Sequence, residues 1–195
     1  MQLCGSKVLS LYEELQKILK IKEIALYDDA RFEVEIGNSF RNIPQRQLMA
    51  LSSADEMGLS WYEARAGFVP DSFDNYHTQR NELSQDPAFY RKAIIAVRNT
   101  QLTLIQKTHK TATRFILSLS TRYVSDHSDP TIHQLVKAMN SARQNVQTKK
   151  QADKDMYSFF RKVINTFPRV RGRPLRTFVD ALTTLEGTRI FVKKI

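Results

Sequence analysis

Residues 129–167 read DPTIHQLVKAMNSARQNVQTKKQADKDMYSFFRKVINTF and contain neither glycine nor a further proline after Pro130. An aspartate followed by proline is typical of the first positions of a helix. A second start of this kind, Asp86–Pro87, opens another run without glycine or further proline, which continues to Tyr123 with apolar residues at helical spacing. These two runs predict two long helices that face each other.

The first 75 residues have a different pattern, in which short alternating segments are separated by polar turns. The pattern predicts helices at residues 6–20 and 46–51 and from Asp55 to Gly67, and strands at residues 21–27, 31–36 and 68–69. Near the end of the chain it predicts a helix at residues 177–185 and a strand at residues 189–193. The expected fold is α+β and helix-rich. A small N-terminal β-sheet with two helices, residues 1–75, precedes a basic helical domain, residues 76–195.

Charge is distributed unevenly along the chain. The 195 residues carry a formal net charge of +10, but residues 1–75 have 8 Lys or Arg against 12 Asp or Glu, whereas residues 76–195 have 22 against 8. This asymmetry indicates two surfaces with different partners. DNA, RNA and acidic membranes are the polyanions that a basic segment binds. No Trp- and Leu-rich amphipathic anchor accompanies the charge, so nucleic acid is favoured over a membrane. The alternative is a solvated surface that aids solubility or binds an acidic protein.

The basic residues concentrate between Arg143 and Arg176, where the only acidic residues are Asp153 and Asp155. Tyr157, Phe159 and Phe160 are interleaved and are expected to anchor the helix in the core. Neutralisation of phosphates by such a stripe gives affinity without sequence specificity. The predicted nucleic-acid-binding residues are Lys149, Lys150, Lys154, Arg161, Lys162, Arg169, Arg171, Gly172, Arg173, Pro174 and Arg176.

Within this segment, Arg171–Gly172–Arg173–Pro174 resembles an AT-hook. In that motif, glycine lets the backbone lie deep in a narrow A·T minor groove, whose negative potential attracts the flanking arginines. Val170 replaces the proline usual before the first arginine, and Leu175 replaces a basic residue. The resemblance favours DNA over RNA as the partner. The alternative is a basic loop, residues 168–176, in which glycine and proline only make a turn.

A turn of small residues, Cys4–Gly5–Ser6, leads into the first predicted helix, and amides at a helix N-terminus suit phosphate binding. Taken with Ser60–Trp61–Tyr62–Glu63 and Gly67–Phe68, residues 3–72 resemble the second half of a GNAT-superfamily N-acetyltransferase. The form SWYE…GF is similar to members from large DNA viruses. The resemblance implies that the amides of Gly5, Ser6 and Lys7 hold the pyrophosphate of acetyl-CoA. It also implies that Tyr62 is the general acid that protonates the leaving thiolate.

The resemblance lacks the family's earlier strands, including the central strand that receives acetyl-CoA. Such a half-domain has an exposed sheet edge, which the C-terminal strand, a second copy or another protein is expected to cover. Two functions therefore stay open. One is an acetyltransferase-like protein with a nucleic-acid-binding helical part. The other is a non-catalytic DNA- or RNA-binding structural protein, of a virion or another nucleoprotein particle.

Other residue types limit the remaining possibilities. Cys4 is the only cysteine, which excludes an intrachain disulfide and favours a reducing compartment, nuclear or cytoplasmic. His77, His109, His127 and His133 show no metal-ligand spacing, so no metal site is predicted. No signal peptide and no apolar run long enough to span a membrane is evident.

Overall fold

The computed structural model describes residues 5–27, 31–53, 59, 61–73, 87–166 and 176–194. The α-helices in these ranges are α1 Gly5–Leu19, α2 Gln45–Ser52, α3 Trp61–Ala66, α4 Pro87–Arg98, α5 Leu102–Thr108, α6 Thr113–Tyr123, α7 Ile132–Ala142, α8 Val146–Phe159 and α9 Arg176–Gly187. A 3₁₀ turn spans Lys110–Ala112, and a π-helical turn, Phe160–Ile164, extends α8. The strands are β1 Glu23–Tyr27, β2 Arg31–Ile36, β3 Ser39–Pro44, β4 Val69–Phe73 and β5 Thr188–Lys194. The fold is thus α+β and helix-rich with small antiparallel sheets, as predicted at this level.

The C-terminal strand β5 lies in the middle of a three-stranded antiparallel sheet of order β1-β5-β4. Leu26 of β1 is opposite Phe191 of β5, and Ile24 is opposite Lys193. Phe191 is buried, with its ring centroid 4.8 Å from that of Tyr62 in α3 and 6.0 Å from that of Tyr90 in α4. These contacts attach α3 and α4 to one face of the sheet.

Strands β2 and β3 form a separate antiparallel hairpin through the two-residue turn Gly37–Asn38. Gly37 has φ of 64°, a conformation that favours glycine because it has no Cβ. Val34 and Ile43 are buried on one side of the hairpin, against which α8 packs. Alternate residues of β2 point toward the core, and β3 adds Ile43 on the same side, opposite Phe32.

The prediction of one small sheet within residues 1–75 is wrong, since β1 pairs with β5 and β2 pairs with β3. Strand β3 was not predicted because Ile43 is its only fully buried residue, while Phe40 is 71% exposed. Its alternation is therefore too weak to reveal a strand. The long-range pairing of β1 with β5 leaves no local signal at all.

The prediction of two long helices is also wrong, because both runs are interrupted. Between α4 and α5, the amide of Leu102 donates to the carbonyl of Pro130 (2.9 Å) and the amide of Ile132 donates to that of Thr100 (2.9 Å). Gln101 and Thr131 thus form an antiparallel bridge. These amides are bound across the chain, so they are not available to continue a helix.

The break between α7 and α8 uses a polar cap rather than glycine or proline. Asn145 ends the α7–α8 connection, with its side-chain oxygen accepting from the amide of Gln147 (2.9 Å). Thr131 caps α7, and Gln134 completes the reciprocal capping box. Such side chains favour helix N-termini over helix interiors because they bind unpaired backbone amides.

One hydrophobic core includes residues from both predicted parts of the chain, with Leu51 and Phe68 from the first and Ile94 and Leu135 from the second. The predicted helices at 6–20, 46–51 and 177–185 and the strand at 189–193 are confirmed within a few residues by α1, α2, α9 and β5. Gly67 follows α3 with φ of 68°, as expected of a helix-ending glycine. Asp55 and residues 168–175 of the predicted loop 168–176 lie outside the described residues, whereas Arg176 begins α9.

Candidate nucleic-acid interface

Helix α8 and its π-helical extension have one apolar side and one cationic side. The apolar side is buried in the core and consists of Ala152, Met156, Phe159, Phe160 and Val163. Lys150, Lys154 and Arg161 are exposed, and their spacing of four and seven residues places them on one side of a helix. Burial of the apolar side therefore presents these three cations to solvent.

The two acidic residues of this segment point inward. Asp153 and Asp155 are each only 6% exposed, although they lie among exposed lysines. Asp153 is paired with Arg143, and Asp155 is paired with Arg122. Because both carboxylates are buried and each is paired with an arginine of a neighbouring element, neither one offsets the positive charge on the outer side of α8.

Arg143 belongs to the interior and not to the basic surface predicted from residue 143 onward. Its Nε donates to Oδ1 of Asp153 at 2.5 Å, and its Nη1 donates to Oδ1 of Asn140 at 3.1 Å. The guanidinium carbon lies 3.9 Å from the centroid of the Phe32 ring. This correction follows from the ion pair, since a charged side chain enters a core only when it is paired and hydrogen-bonded.

Asp155 accepts hydrogen bonds from three side chains. Nη1 of Arg122 and the hydroxyl of Tyr123 (2.8 Å) donate to Oδ2, and Nε2 of Gln151 donates to Oδ1 (2.9 Å). The hydrogen bond to Asp155 raises the pKa of Arg122. Burial, followed by the hydrogen bond to Asp155, raises the pKa of Tyr123 to about 12. The cluster joins α6 to α8 and fixes the orientation of the two helices relative to each other.

Helix α6 extends the basic surface beyond the residues that the sequence singled out. It runs antiparallel to α8, because Arg122 meets Asp155 while Phe115 lies under Lys162, whose Nζ is 5.0 Å from the ring centroid. Exposed Arg114 is next to Phe115 in sequence.

The C-terminal end of α5 also comes close to this region. Nε2 of His109 and the hydroxyl of Thr166 are 3.0 Å apart. Exposed Lys110 follows His109 and lies on the 3₁₀ turn that leads into α6. Lys110 and Arg114 were missed because only tertiary packing brings them to the end of α8. The only sequence signal for these two residues was the run from Asp86 to Tyr123, which has no glycine or further proline after Pro87 and contains repeated Lys and Arg.

Several predicted nucleic-acid-binding residues can be located. Lys149, Lys150, Lys154, Arg161 and Lys162 are all exposed, and among the described residues none of them forms an ion pair. Arg176 is the first residue of α9. The remaining predicted residues, Arg169, Arg171, Gly172, Arg173 and Pro174, lie outside the described residues.

The interleaved aromatic residues are core anchors, as predicted. Phe159 and Phe160 are fully buried, and their rings meet edge to face with centroids 6.2 Å apart. Tyr157 is half-buried and packs against the same core. None of these three rings is exposed as a platform for stacking bases.

The residues predicted to serve acetyl transfer lie on neighbouring helices. Gly5, Ser6 and Lys7 form the first turn of α1, and the side chain of Lys7 is exposed. α1 contacts α3, which carries Tyr62. Tyr62 is half-buried, and its ring packs on Phe191 in the sheet.

Two other kinds of site are absent from the described ranges. No cluster of three or more His, Cys, Asp or Glu side chains suited to a metal ion occurs among the residues whose placement is described. Within those same ranges, no helix has the length and apolar character needed to cross a membrane.

The chain was compared with models of protein families, with curated proteins and with solved structures, and none of them matches it. Its function therefore has to be inferred from its own residues.

Proposed function

We propose that the protein binds nucleic acid, with DNA favoured over RNA, through the exposed cations of α8 and its π-helical extension. The observation that carries this proposal is the opposite placement of the two charge types on α8. Asp153 and Asp155 are buried in ion pairs, whereas Lys150, Lys154 and Arg161 face solvent. The helix therefore presents a positive surface to a polyanion.

The chemistry of this surface suits phosphate contact rather than base reading. Lysine and arginine side chains neutralise backbone phosphates and release condensed counterions, which gives affinity with little sequence preference. The aromatic residues of α8 are in the core, so base stacking on them has no part in the proposal. Arg114 and Lys110 of the neighbouring elements lengthen the positive surface.

Salt-titrated binding of labelled duplex DNA tests this proposal. Replacing Lys150, Lys154 and Arg161 with Gln removes three exposed cations without touching the core. If all three contact phosphates, the slope of log K against log salt should become shallower by up to about 3, since each phosphate contact contributes about 0.9. Affinity at low salt should fall for every duplex sequence alike.

A matched control variant removes the same number of positive charges from other parts of the surface. Lys17 on α1, Arg41 on β3 and Lys92 on α4 are exposed, and their replacement with Gln also removes three charges. This variant should keep the wild-type salt slope. An equal loss in both triple variants would show that only total charge matters, and the proposed interface would be wrong.

The AT-hook-like segment makes a separate contribution that can be tested independently. Replacing Arg171 and Arg173 with Ala should weaken DNA binding and reduce any preference for A·T-rich duplexes, because arginine is drawn to their narrow minor groove. If affinity falls equally for A·T-rich and G·C-rich duplexes, the segment contacts phosphates only. If affinity does not change, the segment has no part in binding.

Acetyl-CoA-dependent transfer stays a second candidate function, favoured by the contact between α1 and α3. That contact places the helix of Gly5, Ser6 and Lys7 beside the helix of Tyr62. The packing of Tyr62 on Phe191 supports a structural role for its ring. Only the Tyr62 hydroxyl is assigned to catalysis, so Tyr62→Phe separates the two roles.

Thermal stability with saturating acetyl-CoA, together with release of CoA in the presence of amine acceptors, tests this candidate. Binding to the folded state raises the melting temperature by mass action. In an active protein, Tyr62→Phe should lower turnover while preserving the ligand-induced shift. If the wild-type protein shows neither a shift nor CoA release, the non-catalytic nucleic-acid-binding function is the one that stands.

A further inference from the structure

The ion pair between Arg122 and Asp155 exposes its arginine and buries its carboxylate. The side chain of Arg122 is 47% exposed, whereas that of Asp155 is 8% exposed. Arg122 extends from α6, and Asp155 lies on α8 directly after Lys154, one of the exposed cations of the proposed interface. The positive member of the pair therefore reaches the surface beside that interface, while the negative member is shielded from solvent.

Asp155 is itself held in place, and this fixes the direction of Arg122. The hydroxyl of Tyr123 donates to Oδ2 of Asp155 (2.8 Å), and Nε2 of Gln151 donates to Oδ1 (2.9 Å). Arg122 thus binds an acceptor whose orientation is already set, and the hydrogen bond raises the pKa of the guanidinium. The side-chain entropy of the arginine is therefore lost on folding, so a ligand that binds it does not have to order it.

Most N–H groups of Arg122 remain available for a ligand. Asp155 accepts from Nη1, and Tyr123 is the only other residue in the described part of the chain that hydrogen-bonds the guanidinium. A guanidinium has five N–H donors in a planar fork, and two parallel N–H groups match two oxygens of a phosphate. Arg91 on α4 differs, because its Nε and Nη2 both donate to Oε1 of Glu63 (3.0 and 2.9 Å).

We propose that Arg122 binds a backbone phosphate of the nucleic acid through two of these N–H groups, and that Asp155 positions it. This inference rests on the proposed function and adds to it one contact of defined geometry. A lysine is a point charge on a flexible side chain, whereas the planar guanidinium fixes both the distance and the angle of the phosphate. Arg122 thus sets the register of the nucleic acid on the surface of α8.

A second cation lies at the same junction of α6 and α8. Nζ of Lys162 is 5.0 Å from the centroid of the Phe115 ring. On α8 and its extension, Asp155 and Lys162 are seven positions apart. Their partners Arg122 and Phe115 have the same separation on α6. Arg122 and Lys162 are therefore about 10 Å apart along the two helices. This second line of positive groups widens the interface from α8 onto α6.

A double substitution tests the phosphate contact without changing net charge. Arg122→Gln with Asp155→Asn removes one positive and one negative charge, so the formal net charge stays at +10. If Arg122 binds a phosphate, the slope of log K against log salt for duplex DNA should become shallower by about 0.9. Affinity at low salt should fall about tenfold, as expected for a lost hydrogen-bonded charge contact. A folded double variant with the wild-type slope and affinity overturns the proposal.

The matched control removes a similar ion pair from another part of the molecule. Arg91 and Glu63 are also a partly exposed arginine and a buried carboxylate, with side chains 37% and 4% exposed. Arg91→Gln with Glu63→Gln should keep the wild-type salt slope and affinity. Circular dichroism checks that both double variants are folded. An equal loss of DNA affinity in the two double variants would show that Arg122 makes no specific contact.

Arg122→Lys tests the need for two parallel donors. The lysine keeps the charge and can still pair with Asp155, but it replaces the planar fork by a point charge. Affinity for duplex DNA should therefore fall several-fold at unchanged net charge. Affinity equal to that of the wild type would mean that charge alone acts at this position, and the bidentate contact would be wrong.

Chemical modification of the wild-type protein tests the contact without any substitution. Phenylglyoxal modifies accessible arginines, and mass spectrometry measures the rate at each position. Bound duplex DNA should slow the modification of Arg122 several-fold while Arg91 reacts as it does in the free protein. An unchanged rate at Arg122, or equal slowing at both arginines, overturns the proposal.

The triple variant of Lys150, Lys154 and Arg161 separates this proposal from the proposed function. If the triple variant loses affinity while Arg122→Gln with Asp155→Asn does not, the interface on α8 stands and Arg122 is not part of it. If the wild-type protein does not bind duplex DNA even at low salt, the proposed function and the Arg122 contact are both wrong.

Discussion

Arg143 and Asp153 form an ion pair whose two side chains are each only 9% exposed, with Nε and Oδ1 2.5 Å apart. The pair connects the end of α7 to the middle of α8, and the Phe32 ring of the β2–β3 hairpin covers the guanidinium. The orientation of α8, and with it the direction of its exposed cations, depends on this contact. Asp153 thus has a structural role although it lies in the basic segment.

Replacing Asp153 with Asn should destabilise the fold by about 3 kcal/mol, because the Arg143 charge stays buried without its partner. The same change at exposed Asp126 is the control and should cost less than about 0.5 kcal/mol. Urea unfolding measures both free energies. Replacing Arg143 with Met and Asp153 with Leu together should recover most of the loss. Equal free energies of unfolding for Asp153→Asn and Asp126→Asn would contradict the assignment of Asp153 to the interior.

A comparison of Phe191 on β5 with Phe40 on β3 tests whether β5 is a buried central strand. Phe191 is 1% exposed, whereas Phe40 on β3 is 71% exposed. Phe191→Ala should lower the free energy of unfolding by about 3–5 kcal/mol, since it leaves a cavity beside Tyr62 and Tyr90. Phe40→Ala should change it by less than about 0.5 kcal/mol. Urea denaturation gives both values, and a small effect at Phe191 would contradict its burial at the centre of the sheet.

Local signals in the sequence predicted most single elements but not their partners. Periodicity gave α1 and β5 within a few residues, and Gly67 marked the end of α3, because each depends on neighbouring residues. The pairing of β5 with β1 joins residues more than 160 positions apart, and its pairing with β4 joins residues more than 110 positions apart. The interruption at Gln101 likewise depends on Thr131 across the chain. No local pattern contains these relationships.

The candidate site was predictable in part for the same reason. The spacing of Lys150, Lys154 and Arg161 is by itself enough to identify one side of a helix. Arg143 does not belong to that side, because it pairs with the inward-pointing Asp153. The direction of Asp153 depends on how α8 packs against the hairpin, where the Phe32 ring covers Arg143. The exposure of Leu11, Leu15 and Ile18 on α1 was also not foreseeable, because amphipathic periodicity normally indicates the side that faces the core.

Gln16 offers a chance to stabilise the protein. Its side chain is 1% exposed, and its Nε2 has no hydrogen-bond partner among the residues that the structure describes. A buried unpaired amide loses its hydration without compensation. Gln16→Met keeps the length of the side chain and should raise the free energy of unfolding by about 1 kcal/mol.

The control is Gln45→Met on α2, where the side chain is exposed and the same change should have little effect. Glutamine and methionine have similar helix propensities, so the comparison isolates burial. Melting temperatures of the two variants measure the difference. A loss of stability in Gln16→Met would mean that the buried amide contributes a favourable interaction.

Tyr123 makes stability depend on alkaline pH. Burial and the hydrogen bond to Asp155 raise its pKa from 10.0 to about 12, so the folded state favours the neutral phenol. The contribution of this group is fully present below pH 10 and is lost as pH rises through about 12. Tyr123→Phe cannot ionise, so its stability should fall less steeply than that of the wild type over this range. Unfolding free energies at stepped pH measure the difference.

Tyrosinate absorbance of the folded protein should show one more late-titrating phenol in the wild type than in the variant. Parallel stability curves would mean that Tyr123 titrates alike in the folded and unfolded chains, which would contradict its raised pKa.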